Sequence, residues 1–118
     1  DPATDPLLPA RYSAGNLAGK AACRDGLAGV ASLQPGSGPV VGCVSRLATQ
    51  KGLHLLRSAL PRFLEAGRLT AVLLGTGDPA LHADFTTLAA QYPGRFAFID
   101  RHDEALARLV YAGADAFA

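Results

Sequence analysis

Val40-Val41-Gly42-Cys43-Val44-Ser45-Arg46-Leu47-Ala48-Thr49-Gln50-Lys51-Gly52 decides how this chain is read. An apolar strand empties into a polar turn that carries two cations, Arg46 and Lys51, and a helix follows. Where a parallel strand ends, two positive side chains and the N–H groups of a helix start converge on one point. That charge suits a phosphate, and a diphosphate best.

Outward from this stretch, everything after Pro39 alternates short apolar runs with amphipathic ones, the mark of β-α-β units on a parallel sheet. Strands are expected over Val40 to Ser45, Leu69 to Leu74, Arg95 to Ile99 and from Asp115. Each is almost wholly apolar, as strands are when helices cover both faces. Three helical stripes lie between them: Leu53, Leu56, Leu60, Phe63 and Leu64; Leu81, Phe85, Leu88 and Tyr92; Leu106, Leu109 and Val110. Pro61 is expected to bend the first of these helices. Asp78-Pro79 reads as an N-cap followed by an N1 proline, and Asp103-Glu104 puts acid at the next helix start. With right-handed crossovers and a doubly wound order, the fourth strand returns beside the first, which sets the ligand crevice at Ser45 and Arg46.

Before Pro39 the pattern is less regular. The first sixteen residues hold three prolines and are expected to be extended and irregular; Leu17 to Leu33 reads as a helix weakened by Gly26 and Gly29; Gln34 to Pro39 is a break. The division expected is therefore 1–38, an extended lead-in and helix, and 39–118, the first part of a Rossmann-like domain. With no methionine among its 118 residues and an end that reads as the opening of another buried strand, the chain is expected to be a segment of something longer.

Composition narrows the function. Eleven basic and ten acidic residues leave a formal net charge of +1, so no overall field draws nucleic acid or an anionic membrane, and any anion site must be local. The apolar runs are too short for a membrane span and no signal-like segment opens the chain, which points to a soluble, cytoplasmic protein. Cys23 and Cys43 form no CxxC pair and read as two idle thiols. Neither GxGxxG nor GxxxxGK[ST] occurs, against a dinucleotide dehydrogenase and a P-loop nucleotidase.

Arg46 offers a planar fork for phosphate oxygens and Lys51 a compact charge, a pair able to stabilise a departing diphosphate; the same two residues read equally as solvated charges beside a turn. Gly75-Thr76-Gly77-Asp78 either admits a ligand close to the backbone or completes a tight turn. Asp100-Arg101-His102-Asp103 follows the third strand at the same edge, where the flat ring of His102 is placed to stack on a base. His54 and His82 fall on helices away from that edge. No catalytic triad, carboxylate pair or metal-ligand spacing stands out, so the residues by themselves lead to an anion-binding α/β domain.

Several stretches taken together resemble bacterial glycogen synthases and plant starch synthases. They are Val44 to Leu53, Asp1 to Pro6, Leu8 to Ser13, Gly19 to Cys23, Leu73 to Pro79, Tyr92 to Arg95, Asp103 to Ala107 and Tyr111 to Asp115. The resemblance implies part of the C-terminal, nucleotide-binding domain of a two-domain GT-B enzyme, a retaining glycosyltransferase that moves glucose from ADP-glucose to the non-reducing end of an α-1,4-glucan without a metal or other cofactor. It implies that Arg46 and Lys51 neutralise the donor's diphosphate, and that Ser45, Gly75, Gly77, His102 and Asp103 bind the nucleotide sugar. The α-glucan acceptor would need an N-terminal domain as intramolecular partner, so this segment alone is expected to be inactive. In place of the family's Gly-Tyr the chain has Arg101-His102, an imidazole for a phenol, and Arg108 replaces a common histidine. Two other readings stay open: a non-catalytic nucleotide-binding or structural α/β module, and a transferase using another sugar nucleotide.

Overall fold

A computed structural model describes residues 3–5, 10, 12–13, 17–34, 38–47 and 52–117. Helix α1 (Ala18–Val30) precedes a regular alternation: β1 (Val40–Val44), α2 (Leu53–Glu65), β2 (Thr70–Leu74), α3 (Pro79–Gln91), β3 (Phe96–Ile99), α4 (Glu104–Gly113) and β4 (Ala116–Phe117). All pairings are parallel and the order is β3-β2-β1-β4, so the fourth strand does return beside the first. The register runs Val40 opposite Thr70 and Ala71 opposite Phe96, so β1 and β2 put residues of equal parity on one face and β3 matches them with the opposite parity.

That parity sorts the core into two layers, because successive strand side chains point to opposite faces. Cys43, Ala71, Leu73 and Phe96 meet Leu53, Leu60 and Leu64 of α2 and Leu81, Phe85 and Leu88 of α3. Val40, Val72 and Leu74 meet Leu27 of α1 and Leu106 and Val110 of α4. The all-buried run Thr70–Leu74 belongs to a strand with a helix layer on each side. One expected core residue, Phe63, is 38% exposed; it lies at the edge of the α2 stripe rather than on its centre line. Pro61 sits inside α2, which runs on for another turn.

Helix ends follow local chemistry. Asp78 Oδ1 accepts from the Ala80 N–H at 2.8 Å with Pro79 as the first helical residue, and Asp103 Oδ1 accepts from the Leu106 N–H at 2.9 Å. At its C-terminus α2 closes through Gly67, at φ 69°, with the Arg68 N–H donating to the Phe63 carbonyl. α1 ends three residues earlier than its apolar pattern implies. Ser32 takes φ 56°, the Leu33 N–H turns back to the Ala28 carbonyl at 2.8 Å, and Leu33 drops into the core as the contact that closes the cap.

α1 and α4 pack closely enough that a Cβ on Gly113 would lie 2.7 Å from the Cys23 carbonyl oxygen. Lys20 Nζ donates to the carbonyls of Ala112 and Ala114, the orphan acceptors at the end of α4. Arg24 reaches the Gly38 carbonyl and pairs with Asp115, whose Oδ2 also accepts from the Val40 N–H. Among the described residues, no helix is long and apolar enough to cross a membrane.

Candidate functional site

Parallel strands place three loops at one edge of the sheet: the turn after β1, the turn after β2 and the segment between β3 and α4. The first two are tied by backbone. The Leu47 N–H donates to the Thr76 carbonyl at 2.8 Å and the Asp78 N–H to the Leu47 carbonyl at 2.7 Å, so pairing continues past the strands as a parallel bridge between Leu47 and Gly77. Gly77, at φ 146°, is required there, since a Cβ would sit 2.6 Å from the Leu47 oxygen. Gly75 has a similar constraint, because its Cβ would collide with the Ser45 carbonyl.

Between these loops and α4 lies a cleft of about 210 Å³ on the α4 face of the sheet. Val44, Leu74 and Ala107 form an apolar floor, and Ser45, Arg46, Gly75, Arg101, His102, Asp103 and Glu104 supply the rest of its lining. Five residues expected from the sequence, Ser45, Arg46, Gly75, His102 and Asp103, thus share one cavity. Gly77 does not line it and serves the strap between the loops instead. Lys51 lies outside the described residues.

Arg46 is exposed at the rim, and Ser45 Oγ donates to the Arg46 carbonyl at 3.0 Å. α2 starts at the same sheet edge. Its N-cap is Gly52, in the left-handed region at φ 72°; among the described residues no side chain caps it, and its first turn carries no acid. Neither the N-cap nor the first turn of that helix supplies a negative charge, an arrangement compatible with an anion at its positive end.

The mouth of α4 is the opposite. Asp103 uses Oδ1 for the Leu106 N–H and Oδ2 for Arg101 Nε at 3.1 Å, with Glu104 one residue further on. The Leu106 hydrogen bond first, then Arg101, hold the Asp103 carboxyl below its ordinary value. A carboxylate already occupies the place an anion would take. Asp103 therefore enters the wall as a helix cap and as the anchor of Arg101.

Two features were not legible in the sequence. Arg101 lines the cleft itself, and the only advance signal was its place in the segment that follows the third strand. His82 was expected away from this edge, but the first turn of α3 carries it back there: its Nε2 lies 2.7 Å from Asp100 Oδ2, and its ring meets that of Phe98 edge-on at 5.3 Å. Cys43 lies in the sheet, its thiol pushed up by burial, and both cysteines are free. Among the described residues no group of His, Cys, Asp and Glu is placed to hold a metal ion.

No family model matches the chain. Individual proteins do. The glycogen synthase of Aeromonas hydrophila is 48% identical over 99% of the chain, which covers 24% of that protein. The glycogen synthase of Anaeromyxobacter dehalogenans is 47% identical, again over 99% of the chain and 25% of the relative. A solved structure, the catalytic domain of starch synthase IV from Arabidopsis thaliana bound to ADP and acarbose, superposes with a TM-score of 0.88 at 37% identity, over 99% of this chain and 24% of that one. The chain thus spans about a quarter of the length of the proteins it matches. An identity this high, carried on a parallel four-stranded sheet with the same path through space, makes the chain a homologue of the glycogen and starch synthases over that quarter.

Proposed function

We propose that this chain forms the diphosphate side of the donor site of a retaining glycosyltransferase, whose full length moves glucose from ADP-glucose to the non-reducing end of an α-1,4-glucan. The observation that carries the proposal is exposed Arg46 on a cleft rim at the carboxyl edge of the sheet, the edge at which α2 also begins, with glycine as its N-cap. The starch synthase neighbour, bound to ADP and acarbose, supports the same ligand classes.

In this reading the guanidinium of Arg46, the ammonium of Lys51 and the start of α2 stabilise the charge that grows on the diphosphate as the glycosidic bond breaks. Such preorganised charge acts most strongly where it meets the transition state rather than the ground state. Ser45 and Gly75 let the ligand approach the backbone, Gly77 holds their loops together, and His102 offers a ring for the base with Asp103 behind it. No metal is assigned a role. Residues 39–118 would be the first part of the nucleotide-sugar-binding domain and 1–38 its lead-in; a cytoplasmic location, an acceptor held by an N-terminal domain and inactivity of the segment alone belong to the same proposal. His102, an imidazole where the resembled family carries a phenol, favours one second reading, a module that binds nucleotide without turnover.

Calorimetric titration of the full-length protein with ADP, UDP, GDP and pyrophosphate tests the site. ADP is expected to bind and pyrophosphate to compete with it. Binding of ADP that pyrophosphate cannot displace would remove the diphosphate from the cleft and end the proposal.

A further inference from the structure

The three loops around the cleft are held by different means. The β1 and β2 loops are joined through two backbone hydrogen bonds. The third, Asp100 to Asp103, follows β3 at the end of the strand order, so it has a neighbouring loop on one side only. There the Gly75 N–H donates to the Ile99 carbonyl at 3.1 Å, just before the loop begins. Within the loop, Arg101 Nε donates to Asp103. Among the described residues, what fastens the side chain of its first residue to the rest of the molecule is His82, reaching from α3 to Asp100 at 2.7 Å.

We infer that His82 is a positioning residue for the cleft, resting on the donor-site reading above: by holding Asp100 it sets where Arg101 and His102 stand, and so governs binding of the nucleoside end of the ligand and not of the diphosphate. Neither His82 nor Asp100 lines the cleft. The imidazole Nε2 faces the carboxylate as a hydrogen-bond donor, the only role open to it opposite an acceptor-only group. Its ring is steadied by the edge of Phe98, itself packed at 5.9 Å against the buried Phe85, which gives the pin a rigid base in the core. With both partners about two-fifths exposed, the pair contributes modestly to overall stability, and its effect is local.

The test compares two ligands on three proteins. In the full-length protein, His82→Ala is expected to weaken ADP about fivefold, to leave pyrophosphate unchanged, and to raise KM for the sugar nucleotide with kcat nearly constant. His82→Gln, which keeps a donor at similar reach, restores ADP affinity. Unchanged pyrophosphate binding also shows that the variant is folded. An ADP affinity that does not move, or a parallel loss of both ligands, overturns the inference, and the donor-site reading then stands on the wild-type protein's binding of both ligands. A wild-type protein that binds neither ligand overturns the donor site and this inference together.

Discussion

The mouths of α2 and α4 open at the same edge of one sheet, yet their electrostatics are reversed. α2 begins at a left-handed glycine with, among the described residues, no capping side chain and no acid in its first turn; α4 begins with Asp103 already bonded to the Leu106 N–H and Glu104 beside it. A helix start gains from a carboxylate cap, so leaving one bare gives up local stability. In α2 no such carboxylate stands at the N-cap or in the first turn, and Arg46 follows the strand that precedes it. Arg46 gives the cleft rim a cation, suited to phosphate, while the α4 side is already supplied with its own anion, where a neutral base fits.

The strongest way to break this contrast is to remove the cation. Arg46→Ala in the full-length protein is expected to lower kcat about 100-fold or more, while the melting temperature stays within about a degree because the side chain is exposed. A steady-state assay beside a thermal melt reads both, and an unchanged rate would contradict the assignment. A gentler change makes α2 resemble α4. His54 is exposed in the first turn, and His54→Glu puts a carboxylate at the bare mouth; it should weaken pyrophosphate about threefold and slightly stabilise the helix. Titration calorimetry would show whether the two effects have these opposite signs.

The smallest effect lies on the α4 side and concerns pH. Because the folded state holds the Asp103 carboxyl below its unfolded value of 3.8, the stabilisation is complete above that value and fades as pH falls through it toward the folded value. Asp103→Asn keeps a capping oxygen and does not ionise. Melts compared at about pH 6 and about pH 3 should therefore show the wild type losing slightly more than the variant, and equal losses would deny the carboxylate that role.

Much of this was readable from the residues. Val40, Thr70 and Phe96 open strands within one residue of the expected positions, because apolar runs bounded by turn residues leave little choice. Asp78-Pro79 and Asp103-Glu104 mark helix starts for reasons carried within two residues. Ser45, Arg46, Gly75 and His102 could be gathered because a parallel sheet sends all its βα loops to one edge. The end of α1 was missed because Ser32 adopts a conformation usually given to glycine, and only the docking of Leu33 pays for it. The partnership of His82 and Asp100 was invisible for another reason: it joins residues from different elements, and their spacing in the chain says nothing of how far round α3 the imidazole points.

The contacts of Lys20 have a consequence for assembly. Its ammonium meets carbonyls 92 and 94 positions later, so the first helix finds these partners only when the last is in place. Such distant closures carry a high entropic cost and delay whatever depends on them. The ladder of β1 against β2 joins residues 30 positions apart, a shorter closure, so the strands that lead to Ser45 and Gly75 can be set before either end of the chain has docked.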